Sequence, residues 1–218
     1  WPIEMLALPT ALGAKKGVRT LYLTAGSFAS SLFTPNEAVL GSFGTWPWHL
    51  PAGEEKVQVD TLDACVTNRP GWAPDFIKTD VEGADLEVLM GGAKALKSTL
   101  GLQVEVAFVE RNIGAPLFAE SDIYLRKSGF TLVQLIREHW VRKNKVIGPR
   151  SRPHLIWADA IYFLDNRALS ARLGAAPAGD RDVILMKFAA LALVHGYHDF
   201  AQQALDEAVA AGQCSSDL

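Results

Sequence analysis

Cysteine is nearly absent: Cys65 and Cys214 are the two in 218 residues. They lie far apart, and neither stands in a metal-ligand spacing. This excludes a disulfide framework and fits two free thiols in a reducing, cytoplasmic setting. An excess of charge is absent as well. Lys and Arg number 21 against 24 acids, a net charge of −3, which argues against a general nucleic-acid binder. No apolar run reaches membrane length: the longest, Val183 to Val194, is interrupted by Lys187 and is too short to span a bilayer. No signal peptide is visible. With no P-loop and no G-x-G-x-x-G there is no independent nucleotide fingerprint, which leaves a nicotinamide-dependent Rossmann enzyme weakly supported. Ser30 and Ser31 have no G-x-S-x-G elbow, so a serine nucleophile is rejected. His195 and His198 form an H-x-x-H without further ligands nearby, which favours helix capping and packing; no metal site is expected there.

What remains is an ordinary globular composition, 49% hydrophobic and 21% charged, long enough to bury one α/β core with a small appendage. Strands are expected near 3–8, 19–24, 56–60, 75–80, 102–110, 130–136 and 160–165. Helices are expected near 84–98, 121–128, 181–195 and 199–211, with Ser121 as an N-cap and Gly129 past the end of its helix. The strand–helix alternation from 75 to 136 predicts a parallel, doubly wound sheet. Residues 26–55, rich in Ser, Gly and Pro and carrying Phe43, Trp46 and Trp48, have no period and read as a long functional loop. Three regions result: an α/β domain over 1–170, a linker over 171–180, and a C-terminal helical hairpin over 181–218.

The most informative stretch is Asp75-Phe76-Ile77-Lys78-Thr79-Asp80-Val81-Glu82-Gly83-Ala84-Asp85. Phe76 and Ile77 form a strand, Gly83 suits a sharp turn, and Leu86, Leu89, Ala93, Leu96 and Leu100 recur at helical steps. Asp80 and Glu82 are thereby expected at the carboxyl end of a strand, the edge where such sheets bind ligands. Paired carboxylates there can act as general bases, hold a metal, or orient a cationic group; the bland alternative is a capping Asp80 and a Glu82–Lys78 salt bridge. Glu105 is a second candidate. It interrupts an apolar strand, where a carboxylate is costly unless paired, although a half-exposed strand would leave it facing water.

The string IKTDVEGADLEVLMGG resembles the signature of the FkbM-type S-adenosylmethionine-dependent methyltransferases, with Asp85 where the family usually has Glu. Leu21-Tyr22-Leu23-Thr24, Ser30-Ser31-Leu32, Val59-Asp60-Thr61-Leu62-Asp63, Val104-Glu105-Val106 and Ser128-Gly129-Phe130 resemble further family motifs in the same order, over roughly residues 3 to 165. The resemblance implies a Rossmann-like doubly wound sheet of the class I methyltransferase type. It also implies S-adenosyl-L-methionine as cofactor, with Asp80, Val81, Glu82 and Gly83 on the cofactor side. The family's early glycine-rich cofactor turn has no counterpart here, so the order of motifs implies a fold incomplete at the N-terminus, short of roughly two βα units.

The implied reaction is methylation of a small-molecule, sugar or lipid hydroxyl. Asp80 and Glu82 are the first catalytic candidates, with Glu105 and His139 as weaker ones for orienting the acceptor or removing its proton. Arg137, Arg142, Lys143, Lys145, Arg150 and Arg152 make the segment 137–152 basic. With His139 and Trp140 it reads either as a solvated charged hairpin or as a wall for an anionic or sugar-bearing acceptor. The competing function is a non-catalytic module that binds a glycan or anionic partner through loops 43–48 and 137–152.

Overall fold

A computed structural model describes residues 5–69, 71–143 and 152–215. Two sheets organise the chain. The first has the order β1–β3–β2: β1 (Ala11–Leu12) pairs parallel with β3 (Pro51–Asp60), which forms a long antiparallel ribbon with β2 (Gly17–Thr24). No strand covers 5–8; the pairing begins at Ala11, and residues 3 and 4 lie outside the described residues. The expected loop 26–55 is also more ordered than its sequence implies. A 3-10 turn (Ser27–Ala29) and two single-turn helices, α1 (Glu37–Leu40) and α2 (Trp46–His49), break it, and its last residues belong to β3.

The second sheet has the order β4–β5–β7–β6, built from β4 (Phe76–Thr79), β5 (Gly101–Ala107), β6 (Phe130–Trp140) and β7 (His154–Leu164). β4 and β5 are parallel, as expected, but β7 runs antiparallel between β5 and β6. β5 is buried along nearly its whole length, as a strand covered on both faces must be. β7 begins six residues earlier than its apolar run suggests. Its first half alternates: Ile156, Ala158 and Ala160 are buried, while Trp157 and Asp159 turn to the opposite face.

Helix α3 (Leu62–Thr67) is capped by the Thr61 hydroxyl, which accepts from the Ala64 N–H at 3.1 Å. The helix expected over 84–98 is shorter. α4 spans Asp85–Met90 and stops at Gly91-Gly92, and a 3-10 turn follows at Ala95–Lys97. The cause is steric. A Cβ on Gly91 would lie 2.2 Å from the Gly13 carbonyl oxygen, and one on Gly92 would lie 2.7 Å from the Leu62 side chain. The backbone passes the end of β1 and α3 too closely there for a side chain, so both positions are glycine, a poor helix former. Asp63 takes over as cap, accepting from the N–H groups of Lys94 and Ala95 at 2.9–3.0 Å.

α5 (Phe118–Lys127) starts three residues before the expected position. Ser121 lies buried inside it, and the Glu120 carboxylate accepts from the Leu117 N–H at 2.7 Å instead. The stretch 171–180 is not a linker: α6 (Asn166–Ala175) and α7 (Ala178–Val194) leave only Ala176 and Pro177 between them. α8 (His198–Ala210) follows, and Phe188 and Phe200 bring it against α7 with ring centroids 5.5 Å apart. These helices share one apolar core with the second sheet. Phe163 on β7 touches the rings of Phe188, His195, Tyr197 and Phe200. Burying such rings contributes on the order of 1.5–3 kcal/mol each. His195 ends α7 with Nδ1 2.8 Å from the Leu191 carbonyl and stacks on Phe76, a packing and capping role. Both cysteines are free. Among the described residues no helix is long and apolar enough to cross a membrane.

Candidate functional site

At the carboxyl ends of β4 and β5 the chain opens a cavity of about 430 Å³. Asp80 leaves β4, turns at Val81-Glu82-Gly83 and enters α4 at Asp85. Glu82 adopts a left-handed backbone with φ 54°, and Gly83 follows at φ 103°. The left-handed region costs a non-glycine residue about 1–2 kcal/mol, and two hydrogen bonds hold it here. The Ser31 hydroxyl donates to the Glu82 carbonyl at 2.6 Å, and the Asn112 amide donates to the same oxygen at 3.0 Å. Ser31 thus fixes the turn from across the chain. Asp85, buried at the start of α4, accepts from the Gly83 N–H at 3.2 Å, and burial pushes its carboxyl above the ordinary range.

This turn carries a stability prediction. A Cβ on Gly83 would meet the Ala115 Cβ at 3.2 Å in a conformation that side chains rarely adopt. Gly83→Ala is expected to cost about 1–3 kcal/mol, read as a lower urea midpoint with an unchanged slope.

Asp80, Glu82 and Glu105 each place a carboxylate oxygen within 4.8 Å of the others. Three of the sequence-derived candidates therefore meet, and a guanidinium stands among them. Arg111, 6% exposed, pairs with Glu105 and lies 3.5 Å from Glu82. Glu105 is thus buried and paired, which resolves the choice between a costly buried acid and a solvated one. Burial raises the Glu82 carboxyl above its ordinary range, Arg111 pulls it down, and Asp80 and Asp85 push it further up. Asp80 is half-exposed and pairs with Lys78 at 2.6 Å, so Lys78 serves Asp80 rather than Glu82.

His139 lies elsewhere. It is exposed and lines a neighbouring cleft with Lys143 and Arg142, and among the described residues that cleft shares only Thr45 and Trp140 with the cavity. His139 and Trp140 are successive strand residues, so they point to opposite faces; Trp140 is the one that reaches the cavity. Among the described residues, the basic side chains of the segment 137–152 do not line it either. Arg142 turns to Phe43, 5.0 Å from its ring centroid, and bonds Ser42, while Lys145 and Arg150 lie outside the described residues.

Several cavity residues escape sequence reasoning. Arg111 follows β5 in an irregular segment; its only sequence signal is an Arg-Asn pair six residues after a buried Glu. Asp159 faces Glu105 directly across the β5–β7 pairing, and Trp157 faces Ala107, but both sit in the half of β7 that does not read as apolar. His49 sits in α2, 8% exposed, with its ring 5.5 Å from Trp140.

Burial, reinforced by Arg111, lowers the His49 imidazole from 6.5 to about 4. The ring is therefore neutral near pH 7, and the folded state binds the proton less well than the unfolded chain. His49 stabilises the fold fully above pH 6.5, and that contribution is lost as the pH falls towards 4, roughly 3 kcal/mol in all. Wild type and His49→Gln should therefore converge by about that amount between pH 7 and pH 4 in urea unfolding. A constant difference would refute the assignment.

A family model described as Methyltransferase FkbM domain matches residues 3–132, from before β1 into β6. No curated protein matches the chain, and no solved structure does.

Proposed function

Because the chain belongs to the FkbM methyltransferase family, we propose that it transfers a methyl group from S-adenosyl-L-methionine to the hydroxyl oxygen of a small-molecule, sugar or lipid acceptor. The observation that best supports this reading is the gathering of Asp80, Glu82 and Glu105 on the wall of one cavity at the carboxyl ends of β4 and β5. The donor set suits the methionine end of the cofactor, which carries an ammonium and a sulfonium. Asp80 and Glu82 would hold that end, with the strained Val81–Gly83 backbone fixing their direction. When bound, the cofactor supplies an electrophilic methyl group and leaves as a neutral thioether.

This chain's own part is alignment and proton handling. Arg111 pairs with Glu105, lies against Glu82 and keeps both carboxylates in place. Asp159 lines the cavity and faces Glu105 across the β5–β7 pairing. His49, neutral and buried, can accept the hydroxyl proton as the oxygen–carbon bond forms. Trp140 and Trp157, both partly buried, wall the acceptor side of the cavity. His139 would touch only an acceptor long enough to reach the adjoining cleft. The test is transfer of isotopic methyl from S-adenosylmethionine to a panel of hydroxyl-bearing acceptors by the complete natural polypeptide that contains this chain. A labelled methyl ether supports the reading, and label on nitrogen or carbon alone opposes it.

A further inference from the structure

The walls of the cavity carry an unbalanced charge. Asp80, Glu82, Glu105, Glu138 and Asp159 line it, and among the described residues Arg111 is the one permanently cationic lining residue. Arg111 is committed to Glu82 and Glu105, and Lys78 reaches Asp80 from outside. Glu138 and Asp159 form no close ion pair among the described residues, and Asp159 feels only the longer-range attraction of Lys78. His49 adds no charge near neutral pH, because burial holds it neutral. The segment 137–152 contributes Glu138 and Trp140 to the cavity and turns Arg142 away from it.

The rest of the wall is aromatic. Phe28, Trp48, Trp140 and Trp157 line the same space. Trp157 already receives a cation, since the Arg111 guanidinium lies 5.9 Å from its ring centroid. Aromatic faces with nearby carboxylates are the surroundings that hold an organic ammonium, each such contact contributing about 0.5–2 kcal/mol. A second polar need is present as well: the Nε–H of the buried Arg111 side chain has no partner among the described residues. A buried donor of that kind costs free energy until an oxygen satisfies it.

We infer that the cavity takes an amino alcohol: a hydroxyl-bearing acceptor whose protonated or quaternary nitrogen is held by Asp159, Glu138 and the tryptophan faces, with an oxygen on the Arg111 side. This deepens the methyl-transfer reading and rests on it. Among the described lining residues, an anionic acceptor would meet Glu138 and Asp159 with only the already paired Arg111 to offset them, and is disfavoured by like-charge repulsion.

The probes are choline and its uncharged isostere 3,3-dimethyl-1-butanol, titrated against the complete natural polypeptide and followed by tryptophan fluorescence. Choline is expected to bind saturably and at least tenfold more tightly than the isostere. Asp159→Asn and Glu138→Gln, both at partly or fully exposed positions, should each weaken choline several-fold and leave the isostere unchanged. Equal binding of the two probes, or no choline binding, overturns the inference. The choline titration is repeated with saturating S-adenosylhomocysteine. Retained choline binding supports an acceptor site, whereas exclusion assigns the cation subsite to the cofactor's own methionine end and overturns it. Binding of S-adenosylhomocysteine without choline defeats this inference alone; choline binding without S-adenosylhomocysteine defeats the methyl-transfer reading on which it rests.

Discussion

Arg111→Met is expected to destabilise the fold by about 3–5 kcal/mol near neutral pH. The side chain is 6% exposed, and its guanidinium is shared by Glu105, itself 7% exposed, and Glu82. Methionine has a similar length and fills much of the same volume, so the loss is mainly electrostatic. Two carboxylates lose their counter-charge in a desolvated wall, and protonation becomes their way out. The destabilisation should therefore shrink as the pH falls through the raised pKa of Glu82. Adding Glu105→Gln to Arg111→Met removes the stranded charge and should recover a substantial part of the loss, which distinguishes electrostatics from simple packing damage. Urea unfolding of the three proteins at pH 7 and pH 5 measures both effects. An Arg111→Met protein as stable as wild type at pH 7 would show that the carboxylate cluster is not held by this residue.

Asp80→Asn with Glu82→Gln is expected to lower turnover by about 10²-fold or more, the cost of misplacing a bound reactant by about 1 Å. The two side chains arrive in the cavity by different routes. Asp80 follows the last residue of β4 and is half-exposed against Lys78. Glu82 sits on a left-handed residue held by Ser31 and Asn112. The amides keep size and shape while removing charge, so circular dichroism should show an unchanged fold. Because both carboxylates face the same cationic group in this account, the double variant should lose less than the product of the single losses. Turnover within twofold of wild type would remove these residues from the reaction.

Much of this was legible in the sequence, for identifiable reasons. The strand–turn–helix around Asp80, Glu82 and Gly83 announces itself through a change of period, and the parallel β4–β5 pair follows from it. Glu105 stands out because a carboxylate inside an apolar strand demands a partner. The partner itself was hidden: Arg111 lies in irregular chain, where no periodicity aims a side chain. Trp157 and Asp159 were missed for a related reason. Half of β7 alternates between core and cavity and so lacks the apolar run that marked its end. The break of α4 at Gly91-Gly92 comes from contact with Gly13, some eighty residues earlier, which local propensity cannot register. His139 and Trp140 are adjacent in sequence, yet strand alternation sends only the tryptophan into the cavity. The segments 26–55 and 171–180 look irregular by composition but are ordered by tertiary contacts, β2 pairing with β3 in one case and the shared core of α6–α8 in the other.

The central claim is that the Asp80–Gly83 turn holds the cationic end of S-adenosylmethionine. Calorimetric titration of the complete natural polypeptide with S-adenosylhomocysteine, wild type beside Glu82→Gln, tests it most directly. The account predicts saturable binding by wild type and binding at least tenfold weaker in Glu82→Gln, with the variant's fold intact. Equal affinity in the two proteins, or no binding by wild type, would contradict it.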